Sequence, residues 1–88
     1  MRTIIFDKDA VHWAENADYN LSFVKTQVDY LKDLFNIRGY IYLNQICEHF
    51  GVGWNPENIN DLYLIDDGPI EFKFKVTDEN SILIHVKQ

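Results

Sequence analysis

Ile70-Glu71-Phe72-Lys73-Phe74-Lys75-Val76 alternates apolar and polar residues without a break, and Ile82-Leu83-Ile84-His85-Val86-Lys87 follows after the turn-forming stretch Thr77-Asp78-Glu79-Asn80-Ser81. Successive side chains of a strand point to opposite faces, so this spacing predicts a two-stranded antiparallel hairpin with one apolar face. Setting Phe74 opposite Ile84 brings Phe72 to Val86 and Glu71 to Lys87, an apolar ladder with a charge pair at its end.

Upstream, Leu62-Tyr63-Leu64-Ile65 reads as a further strand, closed by the turn Asp66-Asp67-Gly68-Pro69. Both of its faces are apolar, which predicts cover on both sides and leaves its register open. Tyr40-Ile41-Tyr42 reads as a short strand. Leu43 to Phe50 reads as a short helix with Leu43, Ile46, Cys47 and Phe50 on one face, Asn44 as a cap and Gly51-Val52 as its end. Gly53-Trp54-Asn55-Pro56 is turn material.

The clearest helical signal spans about Asn20 to Phe35. Leu21, Val24, Val28, Leu31 and Phe35 recur at spacings of three and four, with Asn20 as cap and Arg38-Gly39 as stop. Before it, Thr3-Ile4-Ile5-Phe6 is a short edge strand, and Asp7 or Asp9 starts a short helix to about Ala17. The expected fold is one small α+β domain over residues 1–88, with N-terminal helices packed on an antiparallel C-terminal β-meander. Its core should include Leu21, Val24, Val28, Leu31, Ile46, Phe50, Phe72, Phe74 and Ile84.

Eighty-eight residues suffice for one domain, and such a domain buries only about 60% of its unfolded surface. Thirteen aromatic rings compensate by supplying much burial per residue. The N-terminus does not read as a signal peptide, no stretch approaches a membrane span, and a lone Cys47 forms no internal disulfide. These features point to a reducing cytoplasm. The net charge is −6, and it is unevenly placed. Residues 39 to 72 contain Glu48, Glu57, Asp61, Asp66, Asp67 and Glu71 and no Lys or Arg; the remaining 54 residues hold eight acids and eight bases. Nonspecific nucleic-acid binding requires a basic footprint, which the sequence lacks.

The start of the chain carries the sharpest motif. Thr3-Ile4-Ile5-Phe6-Asp7-Lys8-Asp9-Ala10-Val11 resembles the first motif of the haloacid dehalogenase superfamily, a strand followed by D-x-D-x-V. Leu62-Tyr63-Leu64-Ile65-Asp66-Asp67 resembles its later magnesium-holding motif. The resemblance implies Asp7 as nucleophile, Asp9 as general acid/base, and Asp66 and Asp67 as ion ligands. The rest of the chain does not support it. That family's doubly wound parallel sheet needs several βαβ units of about 30 residues each, and the C-terminal strands here form a hairpin. Asp7 and Asp9 read instead as acids at a helix start.

Other constellations are sparse. Cys47 and His49 are two apart on a helix and point to different sides, with no C-x-x-C or H-x-x-x-H nearby. His12, His49 and His85 lie on three separate elements. Gly39, Gly51, Gly53 and Gly68 are turn punctuation and form no phosphate loop. No metal or cofactor is called for, and no catalytic residue is assigned.

Arg38-Gly39-Tyr40-Ile41-Tyr42-Leu43-Asn44-Gln45-Ile46-Cys47-Glu48-His49-Phe50-Gly51-Val52, followed by Gly53-Trp54, resembles small proteins encoded in prophages and mobile elements of Gram-positive bacteria. They share the short strand, Leu-Asn, the short helix, Gly-Trp and an aliphatic C-terminal hairpin. The resemblance implies a genomic context and transfers no functional residue.

Two functional classes follow. The first is a non-catalytic protein-interaction domain, such as a phage accessory protein whose acidic face mimics nucleic acid or inhibits a host protein. Trp54, Glu57, Asp61, Tyr63, Asp66 and Asp67 are its candidate partner contacts, and the partner is a protein with a basic surface. The alternative is a small helix-turn-helix-like DNA binder using Leu43 to Phe50, although that helix carries no Lys or Arg. A phosphatase using Asp7 and Asp9 is the remote third. The purified protein is expected to show no magnesium-dependent phosphatase activity. Hydrolysis of a generic phosphate ester that disappears in Asp7→Asn would restore the enzymatic reading, because a contaminant would be indifferent to that change.

Overall fold

A computed structural model describes residues 1–53, 56–58 and 60–88. In chain order the elements are β1 (Arg2–Phe6), α1 (Ala17–Arg38), β2 (Tyr40–Tyr42), α2 (Leu43–Phe50), β3 (Leu62–Leu64), β4 (Glu71–Val76) and β5 (Ile82–Lys87), with short 3-10 turns at Pro56–Asn58 and Ile65–Asp67. The fold is α+β, but its strands do not form one C-terminal meander after the helices. β1 precedes both helices and pairs with β5, giving an antiparallel sheet of order β1-β5-β4. β2 and β3 form a second, two-stranded antiparallel sheet.

The β4–β5 hairpin has the expected register: Phe74 faces Ile84, Phe72 faces Val86 and Glu71 faces Lys87. Lys87 and Glu71 form an ion pair at 3.7 Å, with both side chains about half exposed. Ile82, Ile84 and Val86 of the central strand are buried, and so are Ile4 and Phe6 of β1 beside them. Phe72 and Phe74 are only half-buried, because β4 lies at the sheet edge. The strand expected over 62–65 does not join this sheet. Its ladder with β2 continues past both ends, as Ile65 N–H donates to Gly39 O at 2.9 Å and Leu43 N–H to Asp61 O at 2.9 Å. After the 3-10 turn, Gly68 at φ +110° and Pro69 redirect the chain to the other sheet.

α1 is longer than expected and starts earlier. Its cap is Asn16, whose side chain accepts from Tyr19 N–H at 3.0 Å; Asn20 lies inside the helix. Asn20 takes the first place in the buried stripe, followed by Val24, Val28, Leu31 and Phe35, while Leu21 is half-buried beside it. Gly39, at φ +82°, ends the helix and donates its N–H to Phe35 O at 2.8 Å. α2 is capped from Tyr42 and not from Asn44: Tyr42 N–H donates to the Gln45 side chain at 3.0 Å. Val52 N–H returns to Cys47 O at 3.0 Å past Gly51, the expected helix ending.

Residues 7 to 16 form turns where a helix was expected. Asp7 accepts from Asp9 N–H through its side chain and from Ala10 N–H through its carbonyl, local bonds that compete with helix. Val11 N–H donates to Gly51 O at 2.9 Å; the φ of +73° at Gly51 favours glycine, and a Cβ there would also crowd Val11 and the His12 ring. The segment is fixed from beneath by Asn20, which is 1% exposed; its amide accepts from Ala14 N–H at 2.9 Å and donates to Ala14 O at 2.7 Å. Asn20→Ala strands both backbone groups of Ala14 and should cost about 1–3 kcal/mol in denaturant unfolding. Asn36→Ala, at an exposed position of the same helix, should stay within about 0.5 kcal/mol.

Candidate functional site

The two-stranded sheet presents unlike faces. Ile41 is fully buried and its partner Tyr63 half-buried, both turned to the core. On the opposite face, Tyr40 pairs with Leu64 and Tyr42 with Leu62, and all four are between 39% and 43% exposed. Ile65, directly after β3, is 40% exposed beside Gly39. The result is a contiguous aromatic and aliphatic surface. The Tyr40 and Tyr42 rings meet edge-on at 6.2 Å, and the Arg38 guanidinium lies 4.5 Å from the Tyr40 ring centre.

The strand expected to be covered on both sides is therefore covered on one. Sequence reasoning named Tyr63 as the aromatic contact; the pairing with Ile41 turns Tyr63 inward and leaves Tyr40 and Tyr42 outside. Nothing in a run of uniformly apolar residues distinguishes the two faces, so no sequence signal identified them.

Asp66 and Asp67, exposed in the turn after β3, border this surface. Glu57 is exposed in the Pro56–Asn58 turn. Asp61 is engaged: its carboxylate meets the Arg2 guanidinium at 2.7 Å. Trp54 lies outside the described residues. The acidic window without bases is thus partly compensated by cations from outside it, Arg2 at Asp61 and Lys87 at Glu71, while Arg38 lies over the neutral Tyr40 ring. Gln88 adds a neutral tie, donating its side-chain amide to Leu64 O at 2.7 Å and Gly68 O at 3.0 Å.

The two acid pairs of the dehalogenase-like motif sit on different sheets: Asp7 and Asp9 follow β1, and Asp66 and Asp67 follow β3. Both sheets are antiparallel. An open depression of about 500 Å³ adjoins Asp7, bordered by Lys8, Trp13, Asn16 and Asn80. The buried amide at its base, Asn20, is fully occupied by Ala14. Cys47 is buried, and the histidines stand apart: His12 against Phe23, His49 against Tyr30, and His85 bonded to the Thr3 hydroxyl. Among the described residues no group of three or more His, Cys, Asp or Glu is placed to hold a metal ion. α2 turns Leu43, Ile46, Cys47 and Phe50 inward and Glu48 to solvent. No described helix is long and apolar enough to cross a membrane.

No protein-family model matches this chain, and neither the curated proteins nor the solved structures provide a significant match.

Burial raises the Cys47 thiol above its ordinary pKa. Burial also raises the Tyr63 phenol, and the Asp61 charge adds to the effect. Both groups hold their protons more tightly when folded. The stability they contribute is complete below their ordinary values and is lost as pH climbs from about 8.5 through about 10 toward the raised ones. Melting temperature should fall across this alkaline window, and Cys47→Ala or Tyr63→Phe should each make the decline shallower. Melts at stepped pH test this; slopes identical to wild type in both variants would contradict it.

Proposed function

We propose that this chain is a non-catalytic protein-interaction domain that docks through the outer face of the β2–β3 sheet. The single observation that carries the reading is the clustering of Tyr40, Tyr42, Leu62 and Leu64, all partly exposed and side by side on one face, with Ile65 exposed just beyond them. Isolated exposed apolar residues are normal, but a contiguous patch with a polar border is the usual mark of a contact surface. Tyrosines supply large contact areas at low entropic cost, and their hydroxyls tolerate water until the partner arrives.

The border selects the partner. Asp66 and Asp67 beside the patch, in a chain of net charge −6, favour a protein whose contact surface has an apolar centre and a basic rim. A nucleic-acid-binding groove of a host protein has that character, and occupying it is the specific version of the proposal. It accords with the resemblance to prophage-encoded proteins and with action in a reducing cytoplasm, where Cys47 remains a thiol.

The two parts of the surface should affect binding differently. After a partner is captured from the host and purified, Tyr42→Ala or Leu64→Ala should accelerate dissociation, by about 30-fold where the residue is a hot spot worth about 2 kcal/mol. Asp66→Lys with Asp67→Lys should chiefly slow association and weaken its salt dependence. If neither class of variant changes the binding of any captured protein, the surface is not the docking face. Tight, sequence-specific DNA binding by the wild type would replace this reading with the DNA-binding alternative.

A further inference from the structure

The three-stranded sheet also has a face that no described element covers. On the inner side, Ile4, Phe6, Ile82, Ile84 and Val86 are buried. The side chains between them point outward, in rows fixed by the register: Thr3, His85 and Lys73 form one row, and Ile5, Leu83 and Lys75 the next. Lys87 and Glu71 form a third pair across β5 and β4. Ile5 is 55% exposed and Leu83 half-buried, so the centre is apolar. Lys73 and Lys75 flank it along β4 and Lys87 lies at the end of β5, with Glu71 the single acid on this face of β4 and already paired with Lys87. Three of the eight basic residues of an acidic chain are thus gathered on one sheet face.

This surface matches what the β2–β3 face calls for: apolar residues with bases along one side, as Asp66 and Asp67 lie at one end of the β2–β3 patch. We propose that the outer face of the three-stranded sheet docks on the β2–β3 face of a second copy, so that the chain carries both halves of one contact. The inference rests on the β2–β3 face being a docking surface and names its partner. Charge complementarity is the argument: Lys73 and Lys75 meet the Asp66 and Asp67 border, while Ile5 and Leu83 meet the tyrosine and leucine side chains. The overall negative charge opposes association at long range, but salt screens repulsion between molecular centres beyond about 10 Å at 0.1 M more than it screens contacts at the rim. Two copies related by a two-fold axis satisfy both unlike faces only if each face of one copy meets the opposite kind on the other. Any other arrangement leaves one free face of each kind, so assembly continues as a ring or an open chain.

The test is sedimentation velocity of the full chain over rising concentration, at about 0.1 M and about 1 M salt. Wild type should show an average mass that climbs above that of one copy at the lower salt and falls back at the higher. Lys73→Glu with Lys75→Glu should remain monomeric, as should Asp66→Lys with Asp67→Lys, each with a melting temperature near that of wild type. Mixed together, these charge-reversed variants would regain complementarity at their altered faces, so the pairing test uses neutral ones. Lys73→Gln with Lys75→Gln and Asp66→Asn with Asp67→Asn each retain one intact face, and the mixture should form a one-to-one pair that does not grow. The neutral pair Lys73→Gln with Lys75→Gln gives the same reading if the glutamates disturb folding. A wild type that stays monomeric, or a mixture that fails to pair, overturns the proposal. If the wild type is monomeric yet a host partner is lost on Tyr42→Ala, the self-contact falls and the interaction reading stands.

Discussion

The inner face of β5 presents Ile82, Ile84 and Val86, none more than 1% exposed, between β1 on one side and β4 on the other. Burying this row is what brings the two ends of the chain together. β1 begins at the second residue and pairs along its whole length with a strand that begins at the eighty-second. Closing so long a loop is entropically costly, and the apolar contacts of Ile4 and Phe6 against β5 and the helices must repay it. The same strand fixes the second sheet. Just beyond β5, Gln88 bonds to Leu64 O and Gly68 O, and at the start of β1, Arg2 meets Asp61. Without the β1–β5 pairing, both ties between the sheets would be lost.

The helices cover only the inner side of this arrangement. A domain of 88 residues has too few elements to cover every apolar face. α1 supplies its stripe from Asn20 to Phe35, α2 supplies Leu43, Ile46, Cys47 and Phe50, and together with the inner sheet face they complete one core. What remains outside is unequal in character: an aromatic and aliphatic face on β2–β3, and a lysine-rich face on β1-β5-β4. An antiparallel sheet commonly leaves one face to water, and lysines on an edge strand guard against unwanted pairing. The lysine face is compatible with that general role; the β2–β3 face is not, because its outward residues are two tyrosines and two leucines with no charge among them.

Sequence determined those elements whose patterns repeat. The period-two alternation of residues 70–87 allows one register, because a slip by one residue would turn Phe72, Phe74 and Ile84 to solvent. The three-and-four spacing of α1 and the glycines at 39 and 51 likewise specify helix and ends from local geometry alone. Residues 7–16 misled because their acids suit a helix start and a tight turn equally well, and the choice was made by Gly51, distant in sequence, together with Asn20, six residues beyond Ala14. Asn20 could have been recognised from its four-residue spacing to Val24 and Val28, which places it among the apolar positions.

Tertiary structure alone decided which strands are neighbours and which apolar residues remain outside. Leu62-Tyr63-Leu64-Ile65 carries no alternation, so its partner had to be selected by what else was near: β2, brought alongside by the Gly39 turn. That pairing, and not any local preference, turns Tyr63 inward and leaves Tyr40, Tyr42, Leu62 and Leu64 at the surface. Charge followed the same rule. The acids of residues 39 to 72 are uncompensated along the chain; Lys87 reaches Glu71 through the local β4–β5 hairpin, whereas Arg2 reaches Asp61 only across the folded chain. Periodicity is a local property that a sequence records; proximity between distant segments is created by burial of the core, and both candidate faces depend on it.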